Sequence, residues 1–295
     1  MGDLRAVRLI LCRTNETVST VSTASPLKPL FDTHCHLDAN EFDQDRQAVI
    51  DQAQLAGVSG ILIPAVCVAN FETVRDLAHA LPNGAYAVGI HPLFVESAQE
   101  SDLLALSEFL QAHSDDPRLV AVGEIGLDFF VQEVRTGAPR ERQITFYRAQ
   151  LDLAVRFGLP VLLHVRRSQD ELLKWLRRSP KIGGIAHAFN GSLQQAKQFI
   201  DLGFALGMGG AMTYTRALQI RRLAAGLPLH DLVLETDSPD IAPAWLGGGS
   251  RNTPAEVAGV ASALAALGGY ALDDVVEQTA HTTRRVVPKL ATLWP

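Results

Sequence analysis

Eight short apolar runs, rich in Val, Ile, Leu and Gly, recur between Pro29 and Asp237, and longer stretches of helical periodicity separate them. They are Leu30–His36, Val58–Val66, Ala85–His91, Leu119–Leu127, Leu159–Val165, Ile182–Phe189, Gly203–Gly209 and Leu232–Asp237. Runs of this length with no polar face read as strands buried on both sides, which requires a parallel sheet covered by helices. Intervening helices, for example Asp43–Ala56, Arg140–Phe157 and Ser192–Leu202, make these successive βα units. Eight units in roughly 250 residues predict a (β/α)8 TIM barrel. A doubly wound open sheet is the alternative, but no glycine-rich phosphate loop follows any run; Gly207-Met-Gly-Gly210 comes nearest and lacks the spacing. After the eighth run a loop containing Gly247–Gly249 leads to Asn252-Thr-Pro254, where Thr253 would cap and Pro254 would open a helix. Two closing helices should run through about Leu290.

Residues 1–29 differ from the rest, with a Thr/Ser/Asn-rich stretch from Thr14 to Ser25. The apolar run Leu9–Cys12 is too short for a signal-peptide core or a membrane span, and Leu11 does not suit lipoprotein cleavage before Cys12. Asp3 and Glu16 weaken an organelle presequence. A dispensable, poorly ordered tail or an overextended start is expected over 1–29, with one barrel domain over 30–295. Cys12, Cys35 and Cys67 form neither a disulfide framework nor a Cys-x-x-Cys zinc site, which fits a reducing cytoplasm. No membrane association is expected. The net charge of −6 gives no global attraction to polyanions, so any nucleic-acid contact must be local.

Polar residues sit where the runs end, on the face that carries barrel active sites. They are His34 and His36 after run one, His91 after run three, Glu124 in run four, His164 in run five, His187 in run six and Asp237 after run eight. In an extended chain His34 and His36 point to one side, as two ligands of one ion must. A charged residue beside a buried apolar run is costly unless paired or metal-bound. Glu124 alone could be a salt-bridged core acid, and His164 alone a hydrogen-bonded core histidine. Six such residues, His91 left aside, at equivalent places in one architecture argue for metal. Four imidazoles and two carboxylates suit two divalent ions about 3.5–4 Å apart that share a carboxylate and a hydroxide. Glu124 is the expected bridge; His34, His36 and Asp237 are assigned to one ion, His164 and His187 to the other. Asp237 is also the expected general base. Mixed N/O ligation without thiolate permits Zn, Mn, Fe, Co or Ni, and Mg in a weaker site.

Asp32-Thr-His-Cys-His-Leu37, Gly89-Ile-His-Pro92, Gly123-Glu-Ile-Gly-Leu-Asp128, Leu159-Pro-Val-Leu-Leu-His164, His187-Ala-Phe-Asn-Gly191 and Glu235-Thr-Asp-Ser-Pro239 resemble the TatD-type metal-dependent hydrolases, a family of amidohydrolase-like TIM barrels. The similarity runs from about Leu30 to Leu290 in the family's order. It implies a divalent-metal phosphodiesterase, typically a deoxyribonuclease, often trimming single-stranded DNA from the 3′ end. It implies metal ligands at His34, His36, Glu124, His164, His187 and Asp237. It places His91 close to the substrate phosphate, and Arg166 and Asn252 at the pocket rim. The tail and the segment from Phe129 to Val134 depart from the family pattern, and the stretch from Gly191 to Tyr214 looks closest to a less characterised branch.

Three functions follow for comparison. For a nuclease, Arg166, Arg167, Arg216 and Arg251 would form a local positive rim, and Phe129, Phe130, Tyr214 and Trp245 could stack on unpaired bases. Ester or amide hydrolysis, including D-aminoacyl-tRNA deacylation, would use the same centre on a carbonyl. A metal-stabilised binding module is disfavoured, because structural metal sites are closed by four protein ligands.

Overall fold

The computed structural model describes residues 29–294, and the apolar runs become its strands. In chain order the elements are β1 Leu30–Asp32, α1 Arg46–Leu55, β2 Val58–Pro64, α2 Phe71–Ala80, β3 Gly84–Val88, α3 Glu100–Ala112, β4 Leu119–Asp128, α4 Gly137–Phe157, β5 Val161–Arg166, α5 Gln169–Leu176, β6 Gly184–His187, α6 Leu193–Asp201, β7 Phe204–Met208, α7 Leu218–Gly226, β8 Leu232–Leu234, α8 Val257–Gly268, α9 Leu272–Val286 and α10 Leu290–Leu293. All strand pairs are parallel and their order is the sequence order, so the fold is the expected (β/α)8 barrel. The tail expected over 1–29 lies, apart from Pro29, outside the described residues. No single helix among the described residues is long and apolar enough to cross a membrane.

β1 and β8 are shorter than their apolar runs suggest, for a reason that matters to the site. Beyond Asp32 and Leu234 the backbone leaves the regular ladder and bonds across the seam that closes the barrel. Thr33 N donates to Leu234 O at 3.0 Å, Asp237 N to His34 O at 2.8 Å, and His36 N to Ser238 O at 2.8 Å. The buried Asp32 carboxylate pins the same seam, accepting from Thr236 N at 2.9 Å and Thr236 Oγ1 at 2.6 Å. Burial pushes its pKa up to about 7, although these bonds pull the other way.

Two apolar layers support the strands. Small and medium side chains, among them Phe31, Leu62, Ala85, Ala87, Ala121, Leu162 and Val233, fill the barrel interior. A larger layer packs the outward faces against the helices, and Cys35 is buried in it. Ala280, Val286, Val287, Leu290 and Trp294 join the interior cluster, so the closing helices seal the amino-terminal end of the barrel. Trp294 packs on Phe31 with ring centroids 4.8 Å apart and donates its Nε1–H to Ser59 Oγ at 2.7 Å. Helix starts follow local chemistry. Ser192 and Gln195 form a reciprocal capping box at α6, and Pro254 sits in the first turn as expected, although Thr253 before it makes no side-chain cap bond.

Candidate metal centre

At the carboxyl end of the barrel the strands aim seven polar side chains at a small volume. His34 and His36 follow β1, and their Nε2 atoms lie 3.3 Å apart. Both face Glu124 Oε2, at 3.2 and 3.4 Å, and both are 3.7 Å from Asp237 Oδ1. The second oxygen of Glu124 looks the other way, 3.0 Å from His164 Nδ1 and 3.6 Å from His91 Nε2. His91 Nε2 and His164 Nδ1 are themselves 3.1 Å apart. His187 stacks on His34 with ring centroids 3.7 Å apart and places Nε2 3.4 Å from Asp237 Oδ2. The buried Glu124 carboxylate thus stands between two clusters.

The grouping differs from the sequence-based assignment in two respects. Metal-competent trios are His34–Glu124–His187, His34–His36–Asp237 and His91–Glu124–His164. His187 therefore groups with the His34 side and not with His164. The Cα atoms of His164 and His187 are register partners on neighbouring strands, but the His187 ring swings across the mouth onto His34. His91, expected beside a substrate phosphate, is buried and joins His164.

The donor set suits a divalent cation. Metal–ligand bonds of about 2.0–2.2 Å at tetrahedral angles separate ligand atoms by about 3.3–3.6 Å. The nearest pairs here, from 3.2 to 3.7 Å, fall around that span. Two imidazole nitrogens facing each other at 3.3 Å can share at most one proton, and a cation between them removes the conflict. His34 Nδ1 is buried and makes no hydrogen bond among the described residues. Burial alone would push the Glu124 pKa up, but His91, His34 and His164 hold it well below the usual carboxylate range. Burial would lower His36, yet Glu124 and Asp237 raise it to about 9. Negative charge is thus concentrated where the nitrogens converge, and no thiolate takes part, which fits a borderline or hard divalent ion.

A surrounding set of acids contacts these side chains. Asp128 Oδ2 lies 3.1 Å from His164 Nε2, while Asp128 Oδ1 accepts from Phe130 N and Val131 N at 2.8 and 2.9 Å. Glu235 Oε1 lies 3.1 Å from His187 Nδ1 and accepts from Ala188 N at 2.7 Å. Outer carboxylates of this kind fix which imidazole nitrogen faces the metal. Both acids lie inside the sequence motifs, which alone give neither a role. The available signal was position: Asp128 lies four residues beyond Glu124, and Glu235 directly follows the apolar Leu232–Leu234. Gly207 is the counterpart of Glu235, since a Cβ there would collide with the Glu235 carboxylate.

The rim is more varied than a ring of free arginines. Arg166 is half exposed, lies 3.7 Å from Asp128 Oδ2 and packs its guanidinium 4.0 Å from the Phe130 ring centroid. Arg167 packs on the same ring at 4.7 Å. Arg251 is committed elsewhere, paired with Asp45 at 2.6 Å and donating to Glu41 O at 2.7 Å. Arg216 packs over Tyr214, whose hydroxyl donates to Ala242 O. Trp245 donates its Nε1–H to Glu256 at 2.6 Å. Asn252, expected on the rim, is buried beneath it, because its amide donates to Thr236 O at 2.8 Å and Asp240 O at 2.9 Å and so holds the loop that carries Asp237.

A (β/α)8 barrel with this histidine–carboxylate cluster at its carboxyl end is a metal-dependent hydrolase. The chain belongs to the TatD related DNase family, whose model matches residues 31–288. It is 40% identical over 256 residues to the Escherichia coli K12 protein named uncharacterized metal-dependent hydrolase YjjV, spanning 85% of this chain and 95% of that one. The crystal structure of YjjV superposes with a TM-score of 0.80 at 39% identity, covering 88% of this chain and 98% of that one. A Klebsiella pneumoniae protein named 3′-5′ ssDNA/RNA exonuclease TatD is 30% identical over 263 residues, covering 86% of this chain and 96% of that protein.

Proposed function

We propose that the chain is a phosphodiesterase that uses two divalent ions to cleave single-stranded DNA from its 3′ end. The observation that carries this reading is Arg166, a half-exposed guanidinium held against Phe130 at the edge of the histidine cluster. Such a group is suited to grip a phosphate oxygen in bidentate fashion. The name of the Klebsiella relative points the same way. His34, His36, His187 and Asp237 would hold one ion, His91 and His164 the other, with Glu124 between them. Divalent ions there would supply positive charge for the phosphate and lower the pKa of water toward about 7. The protein's own groups do the rest. Asp237 is a carboxylate at neutral pH, since His187, His34 and His36 outweigh the effect of its burial, and it accepts a proton from the attacking water. Asp128 and Glu235 keep the His164 and His187 rings in place. Arg166 donates to a non-bridging oxygen and fixes the phosphate for attack.

Ester or amide hydrolysis is favoured by a different feature. A groove of 700 Å³ beside Pro239 is lined by Glu41, Asp240, Arg216 and Arg251, a mixed-sign lining that suits a substrate with an ammonium and a carbonyl group, such as an aminoacyl ester. One screen separates the readings. Purified protein loaded in turn with Mg²⁺, Mn²⁺ and Zn²⁺ is given end-labelled single-stranded DNA, RNA, a phosphodiester chromogen and D-aminoacyl-tRNA. With DNA we expect kcat/KM to fall in the order wild type, Arg166→Lys, Arg166→Ala, by about ten- to hundredfold for Ala, with metal content unchanged. Equal rates in all three proteins, or turnover confined to the aminoacyl ester, would refute the phosphodiesterase reading.

A further inference from the structure

Beside the metal centre, on the outer side of the β4 and β5 loops, lies a recess of 400 Å³ lined by Phe129, Arg135, Arg140, Arg167, Asp170 and Glu171 among others. Its three guanidiniums do not belong to the cluster described above. Its two carboxylates are already engaged. Asp170 accepts from Gln195 Nε2 at 2.8 Å, and Glu171 accepts from Lys174 Nζ at 2.7 Å and Trp175 Nε1 at 2.8 Å, with Arg140 3.9 Å away. Arg140 stacks on Phe129 with 4.0 Å from guanidinium to ring centroid, which fixes its direction. Arg135 is exposed and makes no ion pair or hydrogen bond with the described residues.

The recess is joined to the catalytic edge by one aromatic ring. Successive residues of a strand point to opposite sides. Arg167, however, has φ 55°, and this left-handed bend lets Arg166 and Arg167 both rest on the partly exposed Phe130. Guanidiniums therefore run from Arg166, beside Asp128, through Arg167 to Arg140 and Arg135. We propose that this recess is a second phosphate subsite, which takes a phosphate of the same nucleic-acid strand away from the scissile one. The inference rests on the phosphodiesterase reading and sharpens it, because it makes the substrate an oligonucleotide chain.

Two measurements test it, with Arg135→Ala and Arg135→Glu as the variants. The first compares kcat/KM for a single-stranded ten-mer with that for a phosphodiester chromogen carrying one phosphate. We expect the ten-mer to lose about tenfold or more in each variant, and the Glu variant to be worse than Ala, while the chromogen changes less than about twofold. The second follows binding of a fluorescent ten-mer to metal-free protein by anisotropy as salt is varied. Each lost arginine contact should flatten the log–log salt slope by about 0.7. An unchanged ten-mer-to-chromogen ratio together with an unchanged slope would overturn the subsite and leave the nuclease reading standing. A protein that cleaves no phosphodiester under any metal would overturn the proposed function instead, and the anisotropy measurement, which needs no turnover, still decides whether the recess holds phosphate.

Discussion

Glu235 shows how much of this site depends on residues that touch no substrate. Its carboxylate is buried, accepts from Ala188 N, and stands 3.1 Å from His187 Nδ1, leaving His187 Nε2 to face Asp237. Glu235→Gln keeps the size and loses the charge, so metal affinity should fall about 10–100-fold with the fold retained. Gly207→Ala should do the same from the other side, because its new methyl group would push the carboxylate away. Competition with a chromogenic chelator reads both; unchanged affinity in both variants would remove Glu235 from this role. The convergence of these polar side chains was legible in the sequence, since they stand at or near the ends of apolar runs. Their grouping was not, because it depends on ring rotation: His187 turns toward His34, away from the register neighbour His164. Asn252 misled for a related reason. A loop asparagine reads as exposed, whereas here its amide satisfies carbonyls of the Asp237 loop.

Among the elements, α10 and the residues after it have the clearest energetic role. Trp294 is buried against Phe31 at the base of the barrel. Trp294→Ala should cost about 3–5 kcal/mol, as large-to-small changes in cores do. Urea unfolding should show this loss equally with and without metal, since the site lies at the opposite end. A second joint connects α2, β3 and the α3–β4 loop through Asp116, which accepts from His79 Nε2 at 2.8 Å, Tyr86 Oη at 2.9 Å and Arg118 N at 2.9 Å. Burial would raise its pKa, but these donors hold it below the ordinary value. A carboxyl with a lowered folded-state pKa stabilises above its unfolded pKa of about 4, and this contribution is lost as pH falls through the folded value. Wild type should therefore lose more melting temperature between pH 6 and pH 3 than Asp116→Asn does; equal losses would show that Asp116 is not coupled to folding. All eight strands could be placed from apolar runs alone. The ends of β1 and β8 could not, because bonds across the seam, which no local pattern records, take over there.

For the molecule as a whole, the buried cluster should couple stability to metal. At a free ion concentration a hundred times Kd, binding adds about 2.7 kcal/mol to the folded state. For a domain of this size that is roughly 5–10 °C in Tm, which a chelator should remove and Zn²⁺ or Mn²⁺ restore. A melting temperature indifferent to both would mean that the cluster holds no ion. The seam between β1 and β8 adds a condition in time. Asp32 and Thr236, which fasten it, are 204 residues apart in the chain, and so His34 and Asp237 meet only when the barrel has closed. Long-range pairing of this kind forms late, after local helices and neighbouring strands. A half-folded chain, whether on the ribosome or recovering from stress, lacks the one place where its histidines and acids converge. The full cluster is therefore assembled only by the closed barrel, and any chemistry that needs His34 and Asp237 together waits for that closure.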